Sequence, residues 1–412
     1  MIGRGSIAAS LALALLATPA LAQQAPPPGV TPPPLQASYV LDTAEQHGVA
    51  VTVVARGMAR SFALAFLPDG DLLVAERSGN LRLVRGATGA MPELVAQPIT
   101  GMPLPSATNR SFGLNDVSVD PQFATTGLVY WTWNTVVPNA ADPAQPPEQG
   151  RFTVMLGRLS GTALTQVETV FAAEQPAFPG GARVDLDGTG HLWATTGAPF
   201  GPDGQDLASP YGKVLRLNAD GSVPADNPFA GRAGVHPAIY SYGHRDQHAL
   251  ALLPDGEVLT AEHGPNGGDE LNLIAAGANY GWPIATLGRN YDGSDMPAPM
   301  QATGVTDPLV AWLPSIAPSG MIVYAGDAFP AWRGNVFVGS GRRGEIANTG
   351  GLERVVFNAE WGELRRETLL TQLHQRVRDV AQGPDGMIYV LIDGPDTAVL
   401  RLSPAPLPAP AG

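Results

Sequence analysis

Ala63-Leu64-Ala65-Phe66-Leu67-Pro68-Asp69-Gly70-Asp71-Leu72-Leu73-Val74 reads as an apolar strand, a tight turn and a second apolar strand. The turn has a physical cause. Proline pre-sets φ, aspartate hydrogen-bonds back to its own chain, and glycine accepts positive φ. The phrase returns at 117–131 around Asp120-Pro121, at 184–194 around Asp187-Gly188, and at 250–259 around Pro254-Asp255-Gly256. It returns again at 380–391 around Pro384-Asp385-Gly386, and in weaker form at 321–338, where the turn is Gly326-Asp327-Ala328-Phe329-Pro330. The copies lie roughly 50 to 75 residues apart, the spacing of a propeller blade carrying insertions. One blade alone exposes a sheet face, which radial stacking buries. A β-sandwich also alternates strands and turns, but it would not repeat one phrase six times. The expected fold is all-β, a six-bladed β-propeller of four-stranded antiparallel blades spanning 46–404.

The ends are expected to lie outside that ring. Arg4 supplies a positive start, 7–16 an apolar run, and Ala20-Leu21-Ala22 a small-x-small cleavage site. The run is shorter than the roughly 20 residues of a membrane span. Residues 1–22 therefore read as a cleaved signal peptide, and the protein as periplasmic or secreted. The prolines at 26–28 and 32–34 mark a stiff linker over 23–45, and 405–412 reads as a disordered Pro/Ala-rich tail. The chain has no cysteine, which excludes disulfides and a lipid-modified cysteine. Net charge is −13, which argues against nucleic acid or an anionic membrane surface as partner. Lys213 is the sole lysine, so any anionic ligand must be held by arginines against an unfavourable overall field.

The densest polar stretch is Glu262-His263-Gly264-Pro265-Asn266-Gly267-Gly268-Asp269-Glu270-Leu271-Asn272, directly after a strand. Gly-Pro and Gly-Gly expose backbone carbonyls, and Asp269 and Glu270 add carboxylate oxygens. Calcium prefers such ligands, although the spacing is not that of an EF-hand and a solvated turn has the same composition. Arg376 and Arg378, two apart on a strand, project to one face and could grip a carboxylate ligand, or could be ordinary surface charge.

Several phrases together resemble the soluble PQQ-dependent aldose sugar dehydrogenases of the glucose/sorbosone dehydrogenase family. They are Tyr240-Ser241-Tyr242-Gly243-His244-Arg245, the 262–272 loop, Asn279-Tyr280-Gly281-Trp282-Pro283, Tyr211-Gly212-Lys213-Val214-Leu215-Arg216-Leu217 with Asp226-Asn227-Pro228-Phe229, and Arg376-Val377-Arg378-Asp379-Val380 with its Pro-Asp-Gly turn. The resemblance covers roughly residues 50 to 404. It implies a propeller holding pyrroloquinoline quinone (PQQ) and calcium on its top face. The calcium ligands would be the carbonyls of Gly264 and Pro265. Arg376 and Arg378 match the arginines that hold the cofactor's carboxylates, and Arg245 the one that polarises the quinone carbonyl receiving hydride. Arg342 takes the place of a cofactor-binding lysine.

The departures bear on catalysis. The family's general base is a histidine shortly before the arginine that matches Arg183. Here Phe178-Pro179-Gly180-Gly181-Ala182-Arg183 puts Pro179, or Phe178, in its place, and neither takes a proton. The Arg-Asn-Pro-Gln-Gly phrase has become Arg245-Asp246-Gln247-His248-Ala249, and a glutamine expected before Gly113-Leu114 is Ser111, beside Arg110. His248 is the first candidate for a replacement base and Asp246 the second; a structural histidine is the alternative for His248. His263 is expected to orient the calcium loop.

Three functions stay open on this sequence. One is PQQ- and calcium-dependent oxidation of an aldose sugar or related alcohol, by hydride transfer to the quinone, with a rearranged base. Another is a propeller that binds PQQ or another small anion without turnover. The third is a calcium-dependent lactonase-type hydrolase. The first requires an electron acceptor as a further partner, and either a monomer or a homodimer is compatible with the chain.

Overall fold

The computed structural model describes residues 29–103, 112–137, 149–178, 180–298, 302–393 and 397–406. The expected leader, Arg110, Ser111, Pro179 and the last six residues of the tail lie outside the described residues. Among those described, no helix is long and apolar enough to cross a membrane.

Two strands, β1 (Ser38–Leu41) and β2 (Val49–Arg56), precede the first blade. Blade 1 is β3 (Ser61–Phe66), β4 (Leu72–Glu76), β5 (Leu81–Arg85) and β6 (Glu93–Leu94). Blade 2 is β7 (Gly113–Val119), β8 (Leu128–Val137), β9 (Gln149–Ser160) and β10 (Ala163–Ala172). Blade 3 is β11 (Val184–Leu186), β12 (His191–Thr196), β13 (Lys213–Asn218) and β14 (Ile239–Tyr242). Blade 4 is β15 (Gln247–Leu252), β16 (Val258–Glu262), β17 (Asp269–Leu273) and β18 (Val310–Trp312). Blade 5 is β19 (Pro318–Val323), β20 (Val336–Ser340), β21 (Gly351–Phe357) and β22 (Glu363–Leu369). Blade 6 joins β23 (Val377–Gln382), β24 (Ile388–Ile392) and β25 (Ala398–Pro404) to β2 and β1 from the other end of the chain.

This is the expected six-bladed propeller, with antiparallel pairing within every blade. Each recurring strand-turn-strand phrase is the inner hairpin of one blade: Leu64 faces Val74, Val117 faces Trp131, Val184 faces Ala194, Leu250 faces Thr260, Met321 faces Val338, and Val380 faces Val390. The turn glycines Gly70, Gly256 and Gly386 have φ of 89°, 92° and 76°, as the turn chemistry requires.

One blade departs from four strands. β1 falls inside the stretch expected as a linker over 23–45, and pairs Ser38 to Thr52 through Leu41 to Val49. It covers the outer edge of β2, which would otherwise carry an open row of backbone groups. β2 itself closes the ring by pairing with β25 from Val49–Pro404 to Arg56–Ala398. Val49, Val51, Leu400 and Leu402 are buried at that seam. Between blades 5 and 6, Tyr324, Phe329, Trp332 and Phe337 pack with Val377, Val390 and Leu400.

The inner strands carry one irregularity that matters for function. Five of the six slip register near their start, between Ser61 and Ala63, Leu114 and Asp116, Gln247 and Ala249, Pro318 and Met321, and Val377 and Asp379. A bulge leaves its extra residue out of the ladder and re-aims its side chain. The residues so released include Phe62, His248 and Arg378.

Candidate active site

A cavity of about 680 Å³ opens at the end of the ring where inner strands begin and second strands end. That topology decides its lining. Arg60 and Phe62 come from the start of β3, Asp246 and His248 from the start of β15, and Arg376 and Arg378 from the start of β23. Arg77 follows β4, Pro199 and Phe200 follow β12, His263 to Pro265 follow β16, Arg342 follows β20, and Asp393 follows β24. The residues expected from sequence as base, cofactor-binding arginines and calcium-binding carbonyls, namely Arg245, Asp246, His248, Gly264, Pro265, Arg342, Arg376 and Arg378, all line this one cavity.

Arg245 is almost wholly buried and organises the 262–272 loop. One guanidinium nitrogen donates to the carbonyls of His263 and Gly264, both at 2.9 Å, and the other to the Tyr291 hydroxyl at 3.0 Å. Its carbon lies 5.1 Å from the centre of the Trp282 ring. Its Nε is buried without a hydrogen-bond partner.

Asp269 and Glu270 do not offer carboxylates to the cavity, contrary to the sequence expectation for this loop. Both are buried behind it. Asp269 accepts from Gly264 N–H at 2.9 Å, Ser315 Oγ at 2.6 Å, and the Ile316 and Ala317 amides at 2.7 Å each. It is a tie between this loop and the entry to blade 5, with its oxygens already engaged.

Asp246 and His248 form a pair inside the cavity, with Nε2 of the imidazole 3.3 Å from Oδ1. The same oxygen accepts from Gly181 N–H at 2.6 Å. Only glycine allows that approach, since a Cβ on Gly181 would lie 1.8 Å from the Gln247 carbonyl. Burial alone would raise the Asp246 carboxyl, but His248, His263 and Arg245 around it hold it well below the ordinary range. His263 stacks on His248 with ring centres 4.4 Å apart, and its Nε2 meets the Pro318 carbonyl at 2.7 Å. Burial and the neighbouring His248 hold His263 neutral.

In the part of the lining supplied by blades 5 and 6, Arg378 pairs with Asp393 at 2.9 Å and Arg342 with Glu345 at 3.0 Å. Phe178 stands at the rim, edge-on to Phe200 at 5.0 Å, and Phe200 lies 6.5 Å from Tyr291. Arg183 is not at the rim. It sits deeper, its Nε donating to the His248 carbonyl at 2.7 Å. Arg60, Phe62 and Arg77 escaped the sequence reading. The available signal was positional: Glu76-Arg77 occupies in blade 1 the place that Glu262-His263 occupies in blade 4.

Comparison with known proteins gives this site a lineage. The profile of the Glucose / Sorbosone dehydrogenase family matches residues 58–401. Aldose sugar dehydrogenase YliI of Escherichia coli is 34% identical over 367 residues, covering 86% of this chain and 93% of that one. The apo crystal structure of the soluble aldose sugar dehydrogenase from Escherichia coli superposes with a TM-score of 0.76 at 33% identity, covering 87% of this chain and all of that one. The PQQ-bound aldose sugar dehydrogenase of Streptomyces coelicolor gives a TM-score of 0.65 at 27% identity, over 86% and 98% of the two chains. A match across nearly the whole ring, joined to a cavity assembled from the phrases that carry the resemblance, establishes that the chain belongs to the glucose/sorbosone dehydrogenase family.

Proposed function

We propose that the protein oxidises a C–OH group of an aldose sugar or related alcohol, using PQQ and calcium in the arginine-lined cavity and the Asp246–His248 pair as base. The carrying observation is the convergence of Arg245, Arg342, Arg376 and Arg378 with the Gly264–Pro265 carbonyls and that pair in one space.

The residues present fit the cofactor. Its volume range is that of small-molecule pockets. Guanidinium forks suit a ligand bearing three carboxylates. The buried Nε groups of Arg245 and Arg342 have no hydrogen-bond partner among the described residues, so they stand ready for one. The Gly264 and Pro265 carbonyls offer hard oxygens to calcium; Arg245 engages one lone pair of Gly264 and leaves the second. PQQ, when bound, would supply a two-electron acceptor, so that a sugar C–OH giving up hydride to it and its hydroxyl proton to a base would become a lactone.

The chain's own residues then have distinct work. Asp246 engages His248 Nε2 and, being anionic, favours the imidazolium that forms when Nδ1 takes the hydroxyl proton. Gly181 N–H keeps the carboxylate in register with the ring. Arg245, anchored by two loop carbonyls, holds a fixed positive charge where negative charge develops on the acceptor. Phe178, Phe200 and Tyr291 narrow the mouth. The leader read at 1–22 makes export part of the same proposal.

Reconstitution tests the reading. Purified protein given PQQ and calcium should shift the quinone spectrum and reduce an artificial dye with members of an aldose and alcohol panel. A spectral shift with no turnover on any substrate would replace it with a binding protein. Lactone hydrolysis that needs calcium but not PQQ would replace it with a hydrolase.

A further inference from the structure

Four arginines among the described residues are buried to 5% exposure or less: Arg77, Arg183, Arg245 and Arg354. Arg183 lies between Asp116 and Asp379, and Arg354 between Glu45 and Glu367. Arg77 and Arg245 have no carboxylate partner among the described residues. Arg245 is accounted for by the loop carbonyls and the cofactor. Arg77 is not.

The Arg77 guanidinium rests on the Phe62 ring, 3.6 Å from its centre, and donates to the side-chain oxygen of Asn115. Cations outnumber anions around it. Arg378 lies on the same ring at 4.4 Å, and Arg60 lines the same wall, its carbonyl accepting the Arg77 amide at 3.0 Å. Burial, then Arg378 and Arg60, push the Arg77 guanidinium well below its ordinary value; Asp393, which pairs with Arg378, offsets this only in part. A buried cation with no carboxylate in contact is costly, and an anion supplied from the cavity would offset that cost. Phe62 also faces the proposed base, with its ring centre 6.4 Å from that of His248. The guanidinium and the imidazole thus both neighbour one aromatic ring in the same cavity, so that one sugar molecule could touch both.

We propose that Arg77 marks an anion subsite, and that the substrate is a sugar carrying a carboxylate or phosphate in addition to the C–OH that is oxidised. This rests on the dehydrogenase reading above. The anionic group is bound and not consumed, so the oxidation keeps the balance already given.

The test uses protein loaded with PQQ and calcium, and ligands whose blocked anomeric hydroxyl prevents turnover. Calorimetry should show methyl glucuronide binding about tenfold or more tighter than methyl glucoside, with Arg77→Gln, saturated with PQQ, abolishing the preference. Dye reduction with glucuronate against glucose 6-phosphate then tells which anion is taken. Equal or tighter binding of the neutral glucoside would overturn the anion subsite while leaving the dehydrogenase reading intact. Failure to load PQQ at all would overturn both. If circular dichroism shows Arg77→Gln to be unfolded, the glucuronide–glucoside comparison on the unaltered protein decides alone, because the two ligands differ only in the carboxylate.

Discussion

Arg183 reaches Asp116 at 3.0 Å where the inner strands converge, and with the same nitrogen lies 3.3 Å from Asp379. The contact joins blades at the hub. Asp116 stands on β7, Asp379 on β23 and takes the Leu64 amide of β3 at 2.7 Å, and Arg183 Nε holds the His248 carbonyl of β15. Two carboxylates share one guanidinium, and burial raises both; with repulsion from Asp379 added, Asp116 is pushed up to about 7. A folded-state value above the unfolded one means the folded protein binds the extra proton. That stability is complete below about pH 4 and is lost as pH rises through about 7. We therefore expect stability to fall by on the order of 3 kcal/mol between pH 4 and 7 from this site, and Asp116→Asn to flatten that slope. Denaturant melts of both proteins across the interval measure it; parallel slopes would refute the assignment.

The Asp246–His248 pair predicts a particular kinetic signature. His248→Ala should lower kcat by about 10²- to 10⁴-fold, the usual worth of a general base. PQQ affinity should stay unchanged, because the imidazole pairs with Asp246 and not with the arginines. Asp246→Asn should cost less in kcat, since the amide still meets Nε2 of the ring but no longer offers a negative charge to it. Stopped-flow dye reduction beside a PQQ titration separates the two effects, and a His248→Ala variant with unaltered kcat would return His248 to a structural role.

Arg378→Ala should weaken PQQ more than about tenfold, because it removes a cation from the cavity and leaves Asp393 unpaired there. Arg378→Lys should recover only part of the loss, as an ammonium lacks the planar fork. Equilibrium titration of the quinone absorbance checks both. Equal affinity in all three proteins would place the cofactor elsewhere.

The fold was legible because the inner hairpins of blades 1, 4 and 6 share a Pro-Asp-Gly turn and the other three return the same strand-turn-strand phrase with altered turns, so the six returns count the blades. The outer edge strand was not. β1 lies just after the prolines at 32–34, and its pairing with β2 depends on the edge that ring closure creates. The site was legible where family phrases flagged it, at Arg245, Gly264 and Arg376–Arg378. Asp269 was misjudged because composition reveals a carboxylate but not that four donors from 264 and 315–317 already surround it. Arg60 and Arg77 were missed because the repeat was read at its turns, at one end of the ring. The cavity lies at the other end, where the same hairpins begin and finish.

Lys213, the chain's sole lysine, carries the last prediction. It is wholly buried at the start of β13, and its Nζ meets the carbonyls of Asp203 and Tyr211 at 2.6 Å and of Gly204 at 3.2 Å. An ammonium has three donors and here finds three acceptors. These carbonyls belong to the 197–212 loop, which brings Pro199 and Phe200 to the cavity wall. Lys213→Met keeps the stem but strands the carbonyls, each worth about 1–3 kcal/mol when left unsatisfied. Stability should fall by about 3 kcal/mol or more, and PQQ and sugar affinity should fall with the disordered wall. In the unaltered protein an amine-directed reagent should modify Lys213 only at the rate at which this loop opens. Rapid labelling of the native protein, with its melting temperature unchanged, would show that the amine is exposed and that the loop is held by something else.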